Sequence, residues 1–274
     1  MRHSRPIVLK IGGELLEDAD ALEGLAGLVC RVARHSPLLV VHGGGREIDV
    51  ALARAGIPKH QVDGLRVTDR ETLDVVIAVL GGSINTRLVA AMVSAGGPAV
   101  GLTGVDAGIV LVEPAPPQKS ADGRLIPLGL VGEPLGTSAP RLLEDLLEGG
   151  YIPVVASIGV GRTGQLFNVN ADTAAAHLAG RLAAARLVIA GATRGVLDES
   201  GATIAVLDDG RIDDLVKSGG VHAGMIAKLN ACRRALSGGV SEVVIVDGRN
   251  IEQLEAVARG LSGAGTTLVQ GASC

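Results

Sequence analysis

Aromatic residues are almost missing from this sequence: they make up 1% of its 274 residues, as Tyr151 and Phe167. Nucleic-acid binding by base stacking needs aromatic platforms, which this chain does not offer. The net charge is −4 and no block of basic residues is present to neutralise a phosphate backbone. We therefore expect no nucleic-acid partner, although local groups can still bind a small anion. The hydrophobic share of 47% must form an aliphatic core.

Cysteine is also scarce, with Cys30, Cys232 and Cys274 widely spaced and odd in number. This pattern excludes a disulfide framework and a zinc-ligand spacing. The apolar run at 7–9 is too short for a signal peptide, and no charge-free stretch is long enough to span a membrane. We expect a cytoplasmic protein with no membrane contact and no metal ion held by its own side chains.

Several catalytic motifs are absent, including the P-loop, the G-x-S-x-G elbow and H-E-x-x-H. Residues 159–164 match the dinucleotide fingerprint G-x-G-x-x-G, but Leu166–Val169 follow the last glycine where a helix should begin. We interpret this stretch as a loop or short hairpin. A nicotinamide-dependent dehydrogenase stays an alternative that rests on these glycines alone.

The dominant pattern is the alternation of β-branched apolar runs with helical periodicity. It predicts an α/β fold: a three-layer αβα arrangement with an open, mostly parallel sheet, formed by two lobes that share one continuous sheet. We place the lobes at 1–178 and 179–274. Residues 105–136 instead predict a hairpin excursion. The predicted strands are 7–11, 37–41, 99–102, 151–157, 187–190 and 242–246, and the predicted helices are 19–33, 46–55, 68–88, 140–149, 173–184, 224–237 and 251–261.

The helix that starts near residue 68 carries a capping-box pattern. Thr68 stands at the expected N-cap and Glu71 lies three residues later. Apolar residues then recur at helical spacing as far as Leu88.

Two glycine-rich loops follow the first two predicted strands, at 10–14 and 41–46. Ligands of open parallel sheets bind beyond the carboxyl ends of the strands. Glycines there let backbone N–H groups approach an anion, although each loop could also be a tight turn and no more. Two such loops on neighbouring strands favour phosphate or carboxylate binding.

Lysine is rare in this arginine-biased chain, and two lysines stand in apolar surroundings. Lys10 ends a predicted buried strand, and Lys228 lies in an apolar helix. A compact cation that contacts a moving phosphoryl group explains both positions. An alternative remains for Lys228: its aliphatic stem could pack on apolar surface while its ammonium group extends to solvent.

A polar stretch, 168–172, precedes the helix at 173–184. Asn and Asp are preferred N-caps, but a cap accounts for one residue of Asn168, Asn170 and Asp172. Asp172 could hold the two lysines in place, and Asn168 could bind a ligand.

These motifs together resemble the acetylglutamate kinases of the amino acid kinase superfamily. The resemblance extends from residue 7 to the end of the chain, in family order and spacing. The stretches that carry it are 8–13, 41–49, 64–69, 156–159, 168–172 and 224–230.

The resemblance implies that Lys10 and Lys228 stabilise the transferring phosphoryl group and that Asp172 organises them. It implies that the acetylglutamate-binding positions are Gly44, Gly45, Arg66 and Asn168. The glycines that face the ATP phosphates match Gly12 and Gly13. The nucleotide is expected at 191–196, which include Thr193 and Gly195, and at 220–222.

The resemblance also implies a hairpin lid at 105–136, a Mg²⁺ ion carried by the ATP phosphates, and a homodimer. Because the chain starts shortly before Lys10, we expect no arginine-sensing N-terminal extension. One departure concerns the nucleotide lobe, where Ala192 stands at a position that is usually Asp and so alters the adenosine contacts.

The expected reaction is ATP-dependent phosphorylation of the side-chain carboxylate of N-acetyl-L-glutamate, an early step of arginine biosynthesis. A glutamyl carboxylate is ionised at neutral pH, so no general base is required. Two alternatives remain: a kinase for acetylaminoadipate or another acylated acidic amino acid, and a catalytically silent binding module of the same fold.

Overall fold

The computed structural model describes residues 5–62, 65–119, 123–221, 223–261 and 263–270. The strands within these ranges are β1 (Ile7–Ile11), β2 (Leu38–His42), β3 (Gln61–Val62), β4 (Leu65–Arg66), β5 (Ala99–Thr103), β6 (Val112–Pro114), β7 (Gln118–Lys119), β8 (Leu125–Ile126), β9 (Gly132–Pro134), β10 (Ile152–Ala156), β11 (Ile158–Val160), β12 (Leu166–Asn168), β13 (Arg186–Gly191), β14 (Val206–Leu207), β15 (Glu242–Asp247) and β16 (Thr266–Leu268). The α-helices are α1 (Ala19–Ala33), α2 (Gly45–Arg54), α3 (Arg70–Ile77), α4 (Asn85–Ser94), α5 (Arg141–Glu148), α6 (Ala171–Arg181), α7 (Asp209–Lys217), α8 (Ala223–Ser237) and α9 (Ile251–Ala258).

Over the described residues, eight strands form one open sheet in the order β14-β16-β15-β13-β1-β2-β10-β5. Neighbours are parallel except β15 and β16, which pair antiparallel. Because β1 pairs with both β2 and β13, the two halves of the chain share one sheet. The predicted α/β class and continuous, mostly parallel sheet are confirmed.

Helices cover both faces of this sheet, which explains why its strands are apolar at nearly every position. In β1, Leu9 and Ile11 join the core cluster that contains α1 and α9, while Val8 joins the cluster that contains α6 and α8. Every residue of β1 is buried, including Lys10. A cation at the end of such a strand needs a partner, because desolvation of an unpaired charge is costly.

One long helical segment, Arg70–Ser94, joins α3 and α4 through a π-helical stretch, Ala78–Ile84. By length and composition it could cross a membrane, but its buried apolar side chains belong to the core of this fold. The predicted capping box is wrong. Asp69 is the N-cap and accepts the Thr72 N–H at 2.8 Å, whereas Thr68 is fully buried and its hydroxyl donates to the Arg66 carbonyl.

The predicted hairpin excursion is confirmed by two short antiparallel ladders, β6 with β9 and β7 with β8. Residues 120–122 lie outside the described part of the chain. The glycines at 159–164 lie in the β11–β12 hairpin, which confirms the loop interpretation. A dinucleotide fingerprint requires a helix at its last glycine, so this stretch does not support a dehydrogenase.

Three elements in the C-terminal part of the chain were not predicted from the sequence: α7, β14 and β16. The strands β14 and β16 complete the sheet edge beyond β15. The two strands have two and three residues, too few for a periodic signal.

Candidate active site

The two glycine loops lie against each other at the carboxyl ends of β1 and β2. A Cβ atom on Gly13 would lie 2.7 Å from the Gly44 Cα atom, so a side chain there would push the loops apart. A Cβ atom on Gly44 would lie 2.1 Å from the Ile84 Cδ1 atom, at the end of the π-helical stretch. Both glycines are therefore explained by close packing, and this packing keeps the two loops adjacent.

Three charged side chains meet beside these loops. The Asp172 carboxylate lies 2.8 Å from the Lys10 ammonium and 2.7 Å from the Lys228 ammonium. Their side chains are only 10 to 16% exposed. The lysine ammonium groups thus share one carboxylate, and the cluster has a net charge of +1. The ammonium group of Lys228 binds Asp172 and does not extend to solvent, which excludes the alternative interpretation of this lysine.

The electrostatics of the cluster favour the ionised forms of Lys10 and Asp172. Burial alone would lower the pKa of Lys10, but the Asp172 carboxylate outweighs it and raises that pKa above its ordinary value. Burial alone would raise the pKa of Asp172, but Lys10 and Lys228 outweigh it and hold that pKa well below the ordinary range. Carboxylate and ammonium groups therefore coexist at neutral pH.

Asn168, Asn170 and Asp172, in the polar stretch at the start of α6, each make different contacts. Asn170 is the N-cap, and its side chain accepts the N–H groups of Asp172 and Thr173 at 2.9 and 3.0 Å. This cap frees Asp172, in the first helical turn, to reach the lysines. Asn168, on β12, donates to the Thr68 hydroxyl at 3.2 Å.

Arg66 is held at the site by two residues in or next to the second glycine loop. Its Nη2 atom donates to the Gly45 carbonyl at 3.1 Å and to the Asp49 carboxylate, which also binds Lys59. The Arg66 side chain is 8% exposed. Its Nη1 atom is buried and has no hydrogen-bond partner among the described residues. A buried guanidinium nitrogen in this state is well placed to bind an anion.

A cavity of 230 Å³ is lined by both Lys10 and Arg66, whereas Asp172 and Lys228 are not among its lining residues. The predicted site residues that line it are Lys10, Gly13, Gly44, Gly45, Arg66 and Asn168. Other lining residues include Gln61, Ser157 and Ile48. None of these three was predicted as a site residue, although Ile48 and Ser157 lie within the stretches 41–49 and 156–159 that carry the resemblance.

The residues predicted to bind nucleotide lie at the neighbouring strand end. Gly12 donates its N–H to the Ala190 carbonyl of β13 at 2.9 Å, which brings the first glycine loop against residues 191–196. Thr193 is exposed there. Gly195 is buried, with a φ of 135°, and its missing side chain leaves room for Thr266. Within the predicted range 220–222, residue 222 lies outside the described residues.

Glu14 is a further charged residue at this junction. Its Oε1 atom accepts the Ala192 N–H at 3.1 Å, across the gap between the ends of β1 and β13. The contact joins residues 178 positions apart in the chain, so no local pattern could indicate it.

The sheet is open and mostly parallel, and a lysine pair bridged by a carboxylate lies beside two glycine loops at the carboxyl ends of its strands. This arrangement is typical of proteins that bind small anionic molecules. The family model described as "Amino acid kinase family" matches residues 5–247, and the chain belongs to this family. It is 41% identical over 262 residues to an "Acetylglutamate kinase" of Methanopyrus kandleri, with 94% of this chain and 98% of the relative covered. It is 38% identical over 250 residues to an "Acetylglutamate kinase" of Stutzerimonas stutzeri, with 89% and 83% covered.

Solved structures support the fold. An N-acetylglutamate synthase of Neisseria gonorrhoeae superposes with a TM-score of 0.84 at 24% identity. The match covers 99% of this chain but 61% of the longer synthase chain. A chain from Streptococcus mutans UA159 superposes with a TM-score of 0.78 at 26% identity, with 96% and 98% covered.

Proposed function

We propose that this protein is an acetylglutamate kinase, which transfers the γ-phosphoryl group of ATP to the side-chain carboxylate of N-acetyl-L-glutamate. The observation that supports it most is the Asp172 carboxylate bridging Lys10 and Lys228 beside two touching glycine loops. The names of relatives at 38 to 41% identity agree with this assignment. The reaction belongs to arginine biosynthesis.

The chemical obstacle in this reaction is electrostatic, because an anionic carboxylate must approach a polyanionic phosphate. The nucleophile is ionised at neutral pH, so the protein must supply positive charge rather than a base. We propose that Lys10 and Lys228 supply it to the transferring group and that Asp172 fixes their positions. Partly buried cations act more strongly than solvated ones because little water screens them.

On the substrate side, we propose that Arg66 binds a carboxylate of acetylglutamate through its buried Nη1 atom. Asp49 and the Gly45 carbonyl fix the orientation of the guanidinium. Gly44, Gly45 and Asn168 are the further proposed contacts in the same 230 Å³ cavity. The hairpin β6–β9 would cover the site and protect the acyl phosphate product from water.

On the nucleotide side, we propose that the backbone turn formed by Gly12, Gly13 and Ala192 binds a phosphate group. The Ala192 N–H already donates to a carboxylate oxygen, and this contact supports anion binding by the turn. Thr193 and Gly195 remain proposed nucleotide positions. No group of three metal-ligating side chains occurs among the described residues, so we propose that Mg²⁺ is carried by the phosphates of the nucleotide, where it would supply neutralising charge.

The decisive assay traps the acyl phosphate with hydroxylamine in the presence of ATP and Mg²⁺. We expect hydroxamate from N-acetylglutamate in preference to N-acetylaminoadipate and glutamate. A preference for the longer acid would reassign the enzyme to acetylaminoadipate, since one methylene changes binding by about 1–3 kcal/mol. No hydroxamate from any acid would favour a catalytically silent module, and binding of NAD without binding of ATP would favour the dehydrogenase.

Lys228→Ala and Lys10→Ala test the proposed charge cluster. Each should lower kcat far more than it raises KM, because the charge acts on the transition state. Lys217→Ala serves as the matched control, since this lysine ends α7 and belongs to no proposed contact. An unchanged kcat in Lys228→Ala would remove that residue from the mechanism.

We also propose a cytoplasmic homodimer, with lobes that divide near residue 178. Strand β5 is an edge strand of the sheet, and we propose that the second copy binds on this side. The adjacent α4 exposes Ala90 and Val93, and Val93 is 56% exposed. Ala90→Arg should convert a dimer to a monomer in light scattering, whereas Leu261→Arg, at another exposed apolar position, should not. Equal masses for both variants and the wild type would remove this surface from the proposal.

A further inference from the structure

The carboxylate of Glu14 lies inside the backbone turn that the proposed function assigns to phosphate. A Cβ atom built on Gly12 would lie 2.5 Å from both Glu14 carboxylate oxygens, and one built on Gly191 would lie 3.2 Å from Oε1. The same Oε1 atom accepts the Ala192 N–H at 3.1 Å. The carboxylate is therefore placed between the ends of β1 and β13, in contact with glycine backbone on both sides.

Two cations, Lys10 and Arg249, lie in the neighbourhood of this carboxylate, and each has a closer carboxylate partner, Asp172 and Asp247. Glu14 contributes to the raised pKa of Lys10, after the larger effect of Asp172. It also contributes to the raised pKa of Arg249, for which Asp247 is the main cause. A carboxylate between a lysine, an arginine and a backbone N–H occupies an anion site.

We infer that Glu14 is an intramolecular competitor of the nucleotide: its carboxylate occupies the subsite for an ATP phosphate and must leave before that phosphate binds. This inference rests on the proposed function, because it assumes that the turn binds a nucleotide. Glu14 is solvent-exposed on its other side, so its side chain can rotate outward without disturbing the core. The residue then sets nucleotide affinity, not the rate of transfer.

The size of the effect follows from the competition. A ligand can bind only to the molecules in which its subsite is vacant. Its apparent Kd is therefore the intrinsic Kd divided by the vacant fraction. Exchanging the carboxylate acceptor of the Ala192 N–H for a neutral amide acceptor weakens that hydrogen bond enough to change such an equilibrium by about fivefold. We therefore expect Glu14→Gln, which keeps the size and removes the charge, to bind ADP and ATP about fivefold more tightly.

The test measures the Kd of ADP by isothermal titration calorimetry, with and without Mg²⁺, for the wild type and two variants. Glu14→Gln should bind more tightly in both conditions. Glu17→Gln removes the same charge three residues later, where Glu17 pairs with Arg46, and should leave the Kd unchanged. Weaker or equal binding by Glu14→Gln overturns the inference, and so does a loss of affinity confined to Mg²⁺, which would make Glu14 a metal ligand.

The hydroxamate assay on the same proteins separates the two proposals. If the wild type forms hydroxamate while Glu14→Gln has an unchanged Kd for ADP, the competition is refuted and the kinase assignment stands. If Glu14→Gln binds more tightly and kcat stays within about twofold, both stand. If neither protein binds nucleotide, both fail.

Discussion

Asp172→Asn tests the central feature of the site, because it removes one negative charge from between two lysines without changing the shape of the side chain. Lys10 and Lys228 approach Asp172 to 2.8 and 2.7 Å and are largely buried. Removing one partner of a buried ion pair costs about 3–5 kcal/mol of unfolding free energy, since a buried charge is left without compensation. We expect a loss of that order at pH 7, together with loss of hydroxamate formation.

The pH dependence gives a sharper test than the size of the loss. In the wild type, the raised pKa of Lys10 means that its stabilising contribution is complete below the unfolded pKa of about 10.4 and is lost as the pH rises through the folded pKa. The lowered pKa of Asp172 means that its contribution is complete above about 3.9 and is lost as the pH falls through the folded pKa. The contribution of Lys10 and Asp172 to the unfolding free energy therefore does not change with pH between about 6 and 9.

In Asp172→Asn, Lys10 keeps its burial but loses its partner, so its pKa falls below the unfolded value. The unfolded chain then binds more protons than the folded chain, and the unfolding free energy rises with pH between 7 and 9. Urea unfolding at pH 7, 8 and 9 can be followed by far-ultraviolet circular dichroism, which suits a chain that has no tryptophan.

The matched control is Asp18→Asn, because Asp18 caps α1 at the surface and Asn caps a helix equally well. It changes the net charge by the same amount. Lys10→Met combined with Asp172→Asn should recover part of the lost stability, since it removes one of the two ammonium groups that lose their partner. Equal stability of Asp172→Asn and Asp18→Asn, with no pH slope in either, would refute the electrostatic account of the cluster.

Three further predictions concern substrate recognition, loop packing and a buried histidine. Arg66→Lys should raise KM for acetylglutamate about tenfold or more with little change in kcat, because the planar fork is lost; an effect confined to ATP would contradict this role. Gly44→Ala should lower the unfolding free energy by about 1–3 kcal/mol, because the added methyl group meets Ile84 at 2.1 Å. Gly45→Ala, with no atom within 4 Å, should change it by less than about 0.5 kcal/mol, and equal urea midpoints for the two variants would argue against the packing explanation. Burial lowers the pKa of His42 to about 4, so its stabilising contribution is complete above the unfolded pKa of about 6.5 and is lost as the pH falls towards 4. His42→Asn should therefore remove about 2 kcal/mol of the decline in unfolding free energy between pH 7.5 and 5, and an unchanged decline would show that His42 does not titrate in this range.

Much of the fold and the composition of the candidate site could be predicted from the sequence. Buried parallel strands and amphipathic helices leave periodic apolar patterns, so the order of the main elements followed directly. The three polar residues at 168–172 exceed what one helix cap requires, and this excess by itself indicates a second role for Asp172. Lys10 and Lys228 stand out because an unpaired charge is costly in apolar surroundings.

The tertiary structure decided which groups meet and how they are oriented. Asp69 replaced Thr68 as the cap of α3 because packing buries Thr68 completely, a fact that the local spacing of residues does not contain. The partners of Arg66, the π-helical stretch behind Gly44 and the short strands at the sheet edge all depend on contacts distant in sequence.

Glu14 shows this division most clearly. Its position after two glycines is visible in the sequence, but its carboxylate acquires a role only when β13 brings the Ala192 N–H beside it. Local sequence determined the elements because backbone and side-chain preferences act over a few residues. The fold alone determined the electrostatics of the site, because charges interact through space and not along the chain.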